Sequence, residues 1–534
     1  MRAESLPLTQ LPHVSRLYSH YLTDFSKVLP YYACPPLSRD WLQGSAAARA
    51  AYPTSRRKQV AAVLEAQNKG WNASPQALAN VERLRSGACA VVTGQQVALF
   101  GGPLYAILKA ITAIKLAEEA TAAGVDSVPI FWLATEDHDL AEVAFANIPS
   151  TTHLQKITIL PDVGEGSPVG GIVLDHEIAT AVNTAAQWLG DSEVTDWLRD
   201  CYRPGGTLGN SFARLFTKLF ADHGLILLDP ANPELHEIAK PMFLQAADKA
   251  AELTQSLLRQ NQRLESSGYH AQVKVTDSST LLFVLEAGAR TPVHRSNSHF
   301  SIGKGKLTVD ELNARIDARP EDFSGNALFR PVVQDFLLPT LAYVGGPAEV
   351  AYFAQAAVVY EMMLGRVTPI LPRISATLVE PKIARKLEQH KLVVPMSFLG
   401  EEVLTRTIAT HSLPPELTSK FASAKATLET TLQSLDAALE KLDPTMKEAA
   451  DRSGAKMRYQ LNRLEQRAAL AQQRRGQDIA RHAHELSTAL FPHKSLQERE
   501  VAGIYFVARY GFQLISDLKS RARAATSDHQ LFYL

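Results

Sequence analysis

Apolar and β-branched residues run unbroken through Cys89-Ala-Val-Val-Thr93 and stop at Gly94. A short continuous run of this kind predicts a strand buried on both faces. From Leu104 to Ala120 the period changes. Ile107, Leu108, Ile111, Ile114 and Leu116 recur at helical spacing, with Lys109, Lys115 and Glu118 between them. This predicts an amphipathic helix whose first turn follows Gly101-Gly102-Pro103. A second strand is predicted over Val128–Ala134, ending in Thr135-Glu136-Asp137-His138-Asp139. Strand, glycine turn and helix N-terminus together offer free backbone N–H groups to an anion. Open parallel sheets bind ligands beyond the carboxyl ends of their strands. Both polar clusters are therefore expected to face one crevice.

Further along, Phe212–Phe220 reads as an apolar helix and Gly224–Pro230 as a buried strand ending on Asp229. The next helix carries Glu234, His236 and Glu237 near its start, and helical texture continues through Ala246–Leu264. Strand texture follows at Ala271–Val275, Leu281–Leu285 and Phe300–Ile302. Leu341–Val344 and Thr368–Pro372 return to the sheet, each meeting Gly or Pro. Leu428, Leu432, Leu435, Leu439 and Leu442 alternate spacings of four and three, and Met457, Leu461 and Leu464 resume the seam after Pro444. This predicts an antiparallel helical hairpin or a longer coiled coil, with a homodimer formed through it. The tail Ser495–Leu518 reads as one apolar helix packing back on the core. The expected organisation is residues 1–149 and 211–265 and 326–400 as core, 150–210 and 266–325 as insertions, the latter β-rich, 412–490 as coiled coil, and 491–534 as the closing helix.

Composition narrows the class. A chain of 534 residues is too long for one small core. Lys+Arg and Asp+Glu balance at 55 each, so nucleic acid is not an expected partner, and the basic run Arg463–Arg481 reads as a solvated helix surface. Three scattered cysteines with no CxxC pair argue against disulfides and against a thiolate zinc site. Without a signal-like or membrane-length apolar run, a cytoplasmic location is expected.

Candidate chemistry concentrates in three places. Thr93, Gly94, Gln95, Gln96, Gly101, Gly102 and Tyr105 form the first, where glycines allow close backbone approach and glutamines supply amide donors. Lys109, two turns into the helix, reads as too remote. In the second, His138 is a candidate base or phosphate ligand oriented by Asp137 or Asp139. The carboxylates Glu136, Asp137 and Asp139 could instead hold Mg²⁺, or Asp137 could cap the next helix. In the third, Asn326, Arg330 and Gln334 recur every four residues and share a face if helical, with Arg330 suited to carboxylates. Pro331 requires that segment to be a first helical turn.

Taken together, Thr93–Gln96, Gly102–Tyr105, Phe131–Asp139, Asn326–Asp335, Tyr343–Glu349, Pro372–Ser375 and Ser495–Arg499 resemble, in order and over nearly the whole chain, the bacillithiol biosynthesis cysteine-adding enzymes. The resemblance implies an α/β fold: a Rossmann-like nucleotidyltransferase core related to class I aminoacyl-tRNA synthetases, with two connecting insertions and a dimerising coiled coil. It implies a ligase that joins cysteine to glucosaminyl malate, the last step of bacillithiol assembly, in thiol redox homeostasis. Cysteine and glucosaminyl malate are then the small-molecule partners. ATP is the expected activator, with ADP or AMP as bound forms, and acyl-adenylate formation is the natural route on such a fold. Arg373 and Ser375 stand where related synthetases carry a phosphate-binding loop, although its usual lysines are absent. Two other readings remain: a different nucleotidyltransferase of that fold, or a non-catalytic coiled-coil binding protein.

Overall fold

The computed structural model describes residues 1–150, 153–297, 299–473 and 477–534. Residues 474–476 of the basic run lie outside them. The chain divides into two compact units. The first comprises Met1–Ile148, Gln155–Thr377 and Glu498–Phe532; the second is built on Leu378–Gln497.

The first unit is organised by five parallel strands: β1 (Cys89–Gln95), β2 (Ser127–Leu133), β3 (Ile226–Leu228), β4 (Thr340–Gly345) and β5 (Ile370–Pro372). Their order is β3-β2-β1-β4-β5, so the chain winds outward one way from β1 and then the other way from β4. Strand pairing is dense along β1, where Thr93 is in register with both Phe131 and Val344. Successive side chains of β1 face opposite layers. Ala90 and Val92 join one apolar cluster, while Cys89 and Val91 join another with Ala113, Leu116, Ala117 and Ala120 of α1 (Leu104–Ala122). Burial on both faces explains why these strands read as unbroken apolar runs rather than alternating ones. The gap between β1 and β4, where the winding reverses, is the place such sheets bind ligands.

Several expectations need correction. Ala271–Val275 is not a strand, because the Gln355 side chain takes both the N–H and the C=O of Val273 and no partner strand is needed. A strand was missed over Ala289–Ser296, which pairs antiparallel with Ser279–Glu286 across a turn at Ala287-Gly288. The tail Ser495–Leu518 is not one helix. It breaks into Gln497–Glu500, Gly503–Tyr510 and Gln513–Arg521, and a strand at His529–Tyr533 ends the chain. Gly503 packs closely at the start of α1: a Cβ there would sit 2.7 Å from the Ile107 side-chain tip and 3.3 Å from the Leu104 Cα, so a larger residue would push Ile107 aside.

In the second unit, α4 (Pro415–Leu442) and α5 (Met446–Gln473) form the antiparallel hairpin. The pairs Lys425–Glu465 at 2.6 Å and Glu429–Arg458 at 2.6 Å run in opposite directions along the two helices, as antiparallel packing demands. Exposed pairs like these contribute only about 0–1 kcal/mol each. Leu432 is buried in the seam, whereas Leu435, Leu442, Met457 and Leu464 are exposed.

Two outcomes follow from this packing. At Gly170 a Cβ would overlap the Thr135 side chain and lie 2.8 Å from its Cα, just before Glu136; at Gly171 it would meet nothing within 4 Å. Gly170→Ala should therefore lower stability by about 1–3 kcal/mol in urea melts while Gly171→Ala stays near wild type. His529 is fully buried between the Ser375 and Thr377 hydroxyls, and burial pulls its imidazole down to about 4. The unfolded chain takes up that proton first, so stability should fall as pH drops from the ordinary histidine value toward 4, by about 3 kcal/mol in all, and flatten below. His529→Gln should remove that slope, measured as melting temperature against pH.

Candidate functional site

A cleft of about 590 Å³ opens in the first unit beyond the carboxyl ends of the strands. Gly94, Gln95 and Gln96 at the end of β1, Trp132 in β2 and Glu136-Asp137 beyond it, and Gly346 and Glu349 after β4 all line it. Gln96 Nε2 donates to Asp137 Oδ2 at 2.7 Å, so the two polar clusters that sequence analysis assigned to one crevice do meet. Gly94 is required here, because a Cβ would lie 2.9 Å from the Trp132 carbonyl oxygen of the adjacent strand.

The centre of the cleft floor is a buried ion pair. Lys109 Nζ lies 2.6 Å from Glu349 Oε2 and donates also to the Gly94 carbonyl at 2.6 Å and to Gln95 Oε1 at 3.0 Å. Lys109 is not remote after all. A helical side chain leans toward its own N-terminus, and α1 lies against β1, which lets four methylenes reach back to the strand end. Glu349 also accepts from the Gly346 N–H at 2.7 Å and from the Tyr343 hydroxyl at 2.6 Å. Burial pushes its carboxyl up, but Lys109 and these donors outweigh that and hold it below the ordinary carboxylate range. Burial pulls the Lys109 ammonium down, with Glu349 opposing.

Arg330 opens α2 (Arg330–Leu337), and Pro331 sits in its first turn, as its ring requires. Asn326 precedes the helix and accepts from the N–H groups of Leu328 and Phe329, so it holds the turn that leads into the helix rather than sharing the helical face. Arg330 donates to Gln334 Oε1 at 3.2 Å and to the hydroxyls of Tyr343 and Tyr352 at 3.4 and 3.2 Å. Its guanidinium lies near the Trp132 and Tyr343 rings and borders the cleft. Among the described residues no carboxylate reaches ion-pair distance of it; Glu349 is connected only through Tyr343. The buried Trp132 Nε1–H also has no hydrogen-bond partner. Gln334 is fully buried and donates to Asp335 at 2.9 Å, outside the cleft lining.

Other candidates have different surroundings. The anion cradle expected at Gly101-Gly102 is not formed. Their N–H groups bond to Ala98 and Leu99, Pro103 has none, and the Leu104 N–H is taken by the Val501 carbonyl at 2.9 Å. Gly101 and Gly102, at φ +86° and +73°, serve the turn. Thr93 bonds Val344 across the strands, and Gln95 donates to Tyr105, both internal contacts. Arg373 lines the cleft but is paired with buried Glu498 at 2.6 Å, which also accepts from Ser375 and the Ala376 N–H. Asp139, not Asp137, caps the short helix Leu140–Val143. His138 is 41% exposed, outside the cleft lining, with Nδ1 3.2 Å from Arg290. Glu136 is held by His236 at 3.0 Å. For a metal the donor set does not fit: among the described residues no three His, Cys, Asp or Glu converge, and Asp137 is taken by Gln96 and the His138 N–H.

Sequence reasoning missed Lys109, Glu349, Arg290, Tyr343, Tyr352, Glu142 and Arg499 as cleft residues. Glu142, raised by burial and by the charges of Asp139 and Asp137, gave no signal at all on its four-residue helix. Glu349 did: Gly346-Pro347-Ala-Glu349 is a capping pattern directly after a buried strand. Removing one partner of the buried pair strands the other's charge. Glu349→Gln should cost about 3–5 kcal/mol in urea melts, and adding Lys109→Met should recover part of that loss. Additive losses would mean the two groups do not act as a pair.

Residues 1–374 match the sequence profile of the bacillithiol biosynthesis BshC N-terminal Rossmann-like domain, and residues 376–534 that of the BshC C-terminal coiled-coil domain. Curated relatives named "Putative cysteine ligase BshC" include one from Koribacter versatilis, 48% identical over 98% of both chains. Others come from Solibacter usitatus, 35% identical over 98% of both, and Salinibacter ruber, 32% identical over 99% of this chain and 98% of the relative. With profile matches spanning both units and relatives aligned end to end, the chain belongs to the bacillithiol biosynthesis BshC family.

Proposed function

We propose that this chain is a ligase that joins the carboxyl group of cysteine to the amine of glucosaminyl malate as an amide, with ATP activating the carboxylate. The observation that carries the reading is the half-buried Arg330, which borders the cleft without a carboxylate partner among the described residues. A buried cation is costly unless an anion joins it, and guanidinium recognises carboxylates bidentately. Malate brings two carboxylates that could meet it. Family membership supplies the direction of the chemistry.

Amide formation from a free carboxylate needs an activated acyl group. In the proposed route the cysteine carboxylate attacks the α-phosphorus of ATP, pyrophosphate leaves, and the sugar amine then displaces AMP. Glu136 and Asp137, just beyond β2, would receive the amine; Arg290 and Arg499 in the cleft lining would meet the phosphates. With no cluster of three metal-ligating side chains among the described residues, any Mg²⁺ would arrive on the nucleotide, as it commonly does. The exposed seam residues Leu435, Leu442, Met457 and Leu464 support a homodimer through α4 and α5.

Incubating purified protein with cysteine, glucosaminyl malate and Mg·ATP should yield the cysteinyl amide with AMP and pyrophosphate, read by mass spectrometry. Absence of the amide overturns the ligase reading; amide formed equally without nucleotide overturns only the activation route. Arg330→Met should raise KM for glucosaminyl malate by about 30-fold or more while KM for cysteine stays within about threefold, since a charged hydrogen bond contributes about 1.5–3 kcal/mol.

A further inference from the structure

Glu136 and His236 meet in the wall between the cleft and a second cavity, also about 590 Å³. His236 lies in the first turns of the helix Pro233–Asp248, which Asn232 caps, and is 5% exposed. Its two ring nitrogens face two different oxygens. Nδ1 is 3.1 Å from the Pro320 carbonyl, and Nε2 is 3.0 Å from Glu136 Oε1. A carbonyl only accepts, so Nδ1 carries a hydrogen. In neutral imidazole Nε2 would then turn a lone pair toward an ionised carboxylate, one acceptor against another. The contact is a hydrogen bond only if a further proton lies between them.

We propose that His236 is a positioning residue for Glu136. As an imidazolium it donates from both nitrogens and clamps one carboxylate oxygen, which leaves the other to accept an N–H of the acceptor amine in the cleft. The inference rests on the reading above that the amine is received at Glu136. Glu136 borders the cleft with its side chain one-fifth exposed, and among the described residues no donor reaches its second oxygen.

The charges around the pair are Asp229 beside Thr135, Arg290 from the strand Ala289–Ser296, Glu321 and Asp322 next to Pro320, and Asp162 across the second cavity. On its own helix, Glu237 and Lys240 pair with each other at 2.7 Å. The carboxylates favour the imidazolium and Arg290 opposes it. Burial pulls His236 down, but the bond to Glu136 and those to the carbonyls prevail and leave it above the ordinary histidine range. A clamp of this kind makes the carboxylate a fixed acceptor rather than a mobile one, which is what positioning contributes to bond formation.

The test uses the full chain labelled with ¹⁵N-histidine, with the His236 signals assigned by their loss in His236→Gln. At pH 7 both ring nitrogens of His236 should resonate as protonated. In Glu136→Gln, whose amide can donate, Nε2 should change to the lone-pair position. A lone-pair signal in wild type overturns the imidazolium. Kinetically, His236→Gln keeps an N–H near the Nε2 position and should lose less than about tenfold in kcat, while His236→Leu should lose about 100-fold with KM for cysteine little changed. Equal losses in the two variants, at equal melting temperatures, would reduce His236 to packing and overturn the positioning role. If wild type forms no amide at all, the functional reading fails, and the nitrogen signals still decide whether the proton is there.

Discussion

The ion pair of Lys109 and Glu349 is the constraint on which the cleft depends. Five parallel strands end at one edge, and their last carbonyls and N–H groups need partners there. Lys109 answers the Gly94 carbonyl, and Glu349 answers the Gly346 N–H. Through each other they tie α1 to the helix that follows β4, across the point where the winding reverses. Neither charge is affordable alone in that position, so the pair specifies the spacing of β1 and β4 at their carboxyl ends. Tyr343 extends the chain of bonds to Arg330, which makes the floor one connected polar network rather than a set of separate residues.

That network sorts the arginines of the cleft by what remains for a ligand. Arg373 is spent: its partner Glu498 is buried with it and draws on two further donors from the same turn, the Ser375 hydroxyl and the Ala376 N–H. Arg330 is not spent, because its bonds go to neutral oxygens. Two guanidinium groups lining one cavity therefore have different surroundings, one bound to a carboxylate of the C-terminal segment and one bonded only to neutral oxygens. Position in the cleft does not distinguish them; the charge of the partner does.

The sheet was legible because its strands are covered on both faces, so Cys89–Thr93 and Val128–Leu133 appear as unbroken apolar runs that no exposed element would tolerate. The strand Ala289–Ser296 was not, since only Val293 of its eight residues is buried and Arg, Thr, Pro and His conceal the period. Of the site, the meeting of Gln96 with Asp137 was readable from strand ends alone. Lys109 was misjudged because counting turns along a helix ignores the backward lean of its side chains and the length of lysine. The Gly101-Gly102 turn was misread for a different reason. A glycine turn before a helix offers free amides only if nothing else takes them: here the Ala98 and Leu99 carbonyls take those of Gly101 and Gly102, and Val501, about four hundred positions away, takes that of Leu104.

That last contact reverses the usual logic of the fold. In dinucleotide-binding sheets the first helix N-terminus is reserved for phosphate. Here the Leu104 N–H is bonded to Val501, and the Gly102 carbonyl accepts from Gly503, which packs closely at the start of α1. The dipole end is thus used to anchor the C-terminal segment, and the same segment delivers Glu498 to Arg373 and Arg499 to the cleft wall. On the proposed reading an anionic ligand would then be met by side chains, Arg330 and Arg290 of the cleft lining among them. Side-chain recognition in place of backbone recognition suits a ligand whose carboxylates are set at fixed spacing, because guanidinium geometry reads that spacing and a helix dipole does not.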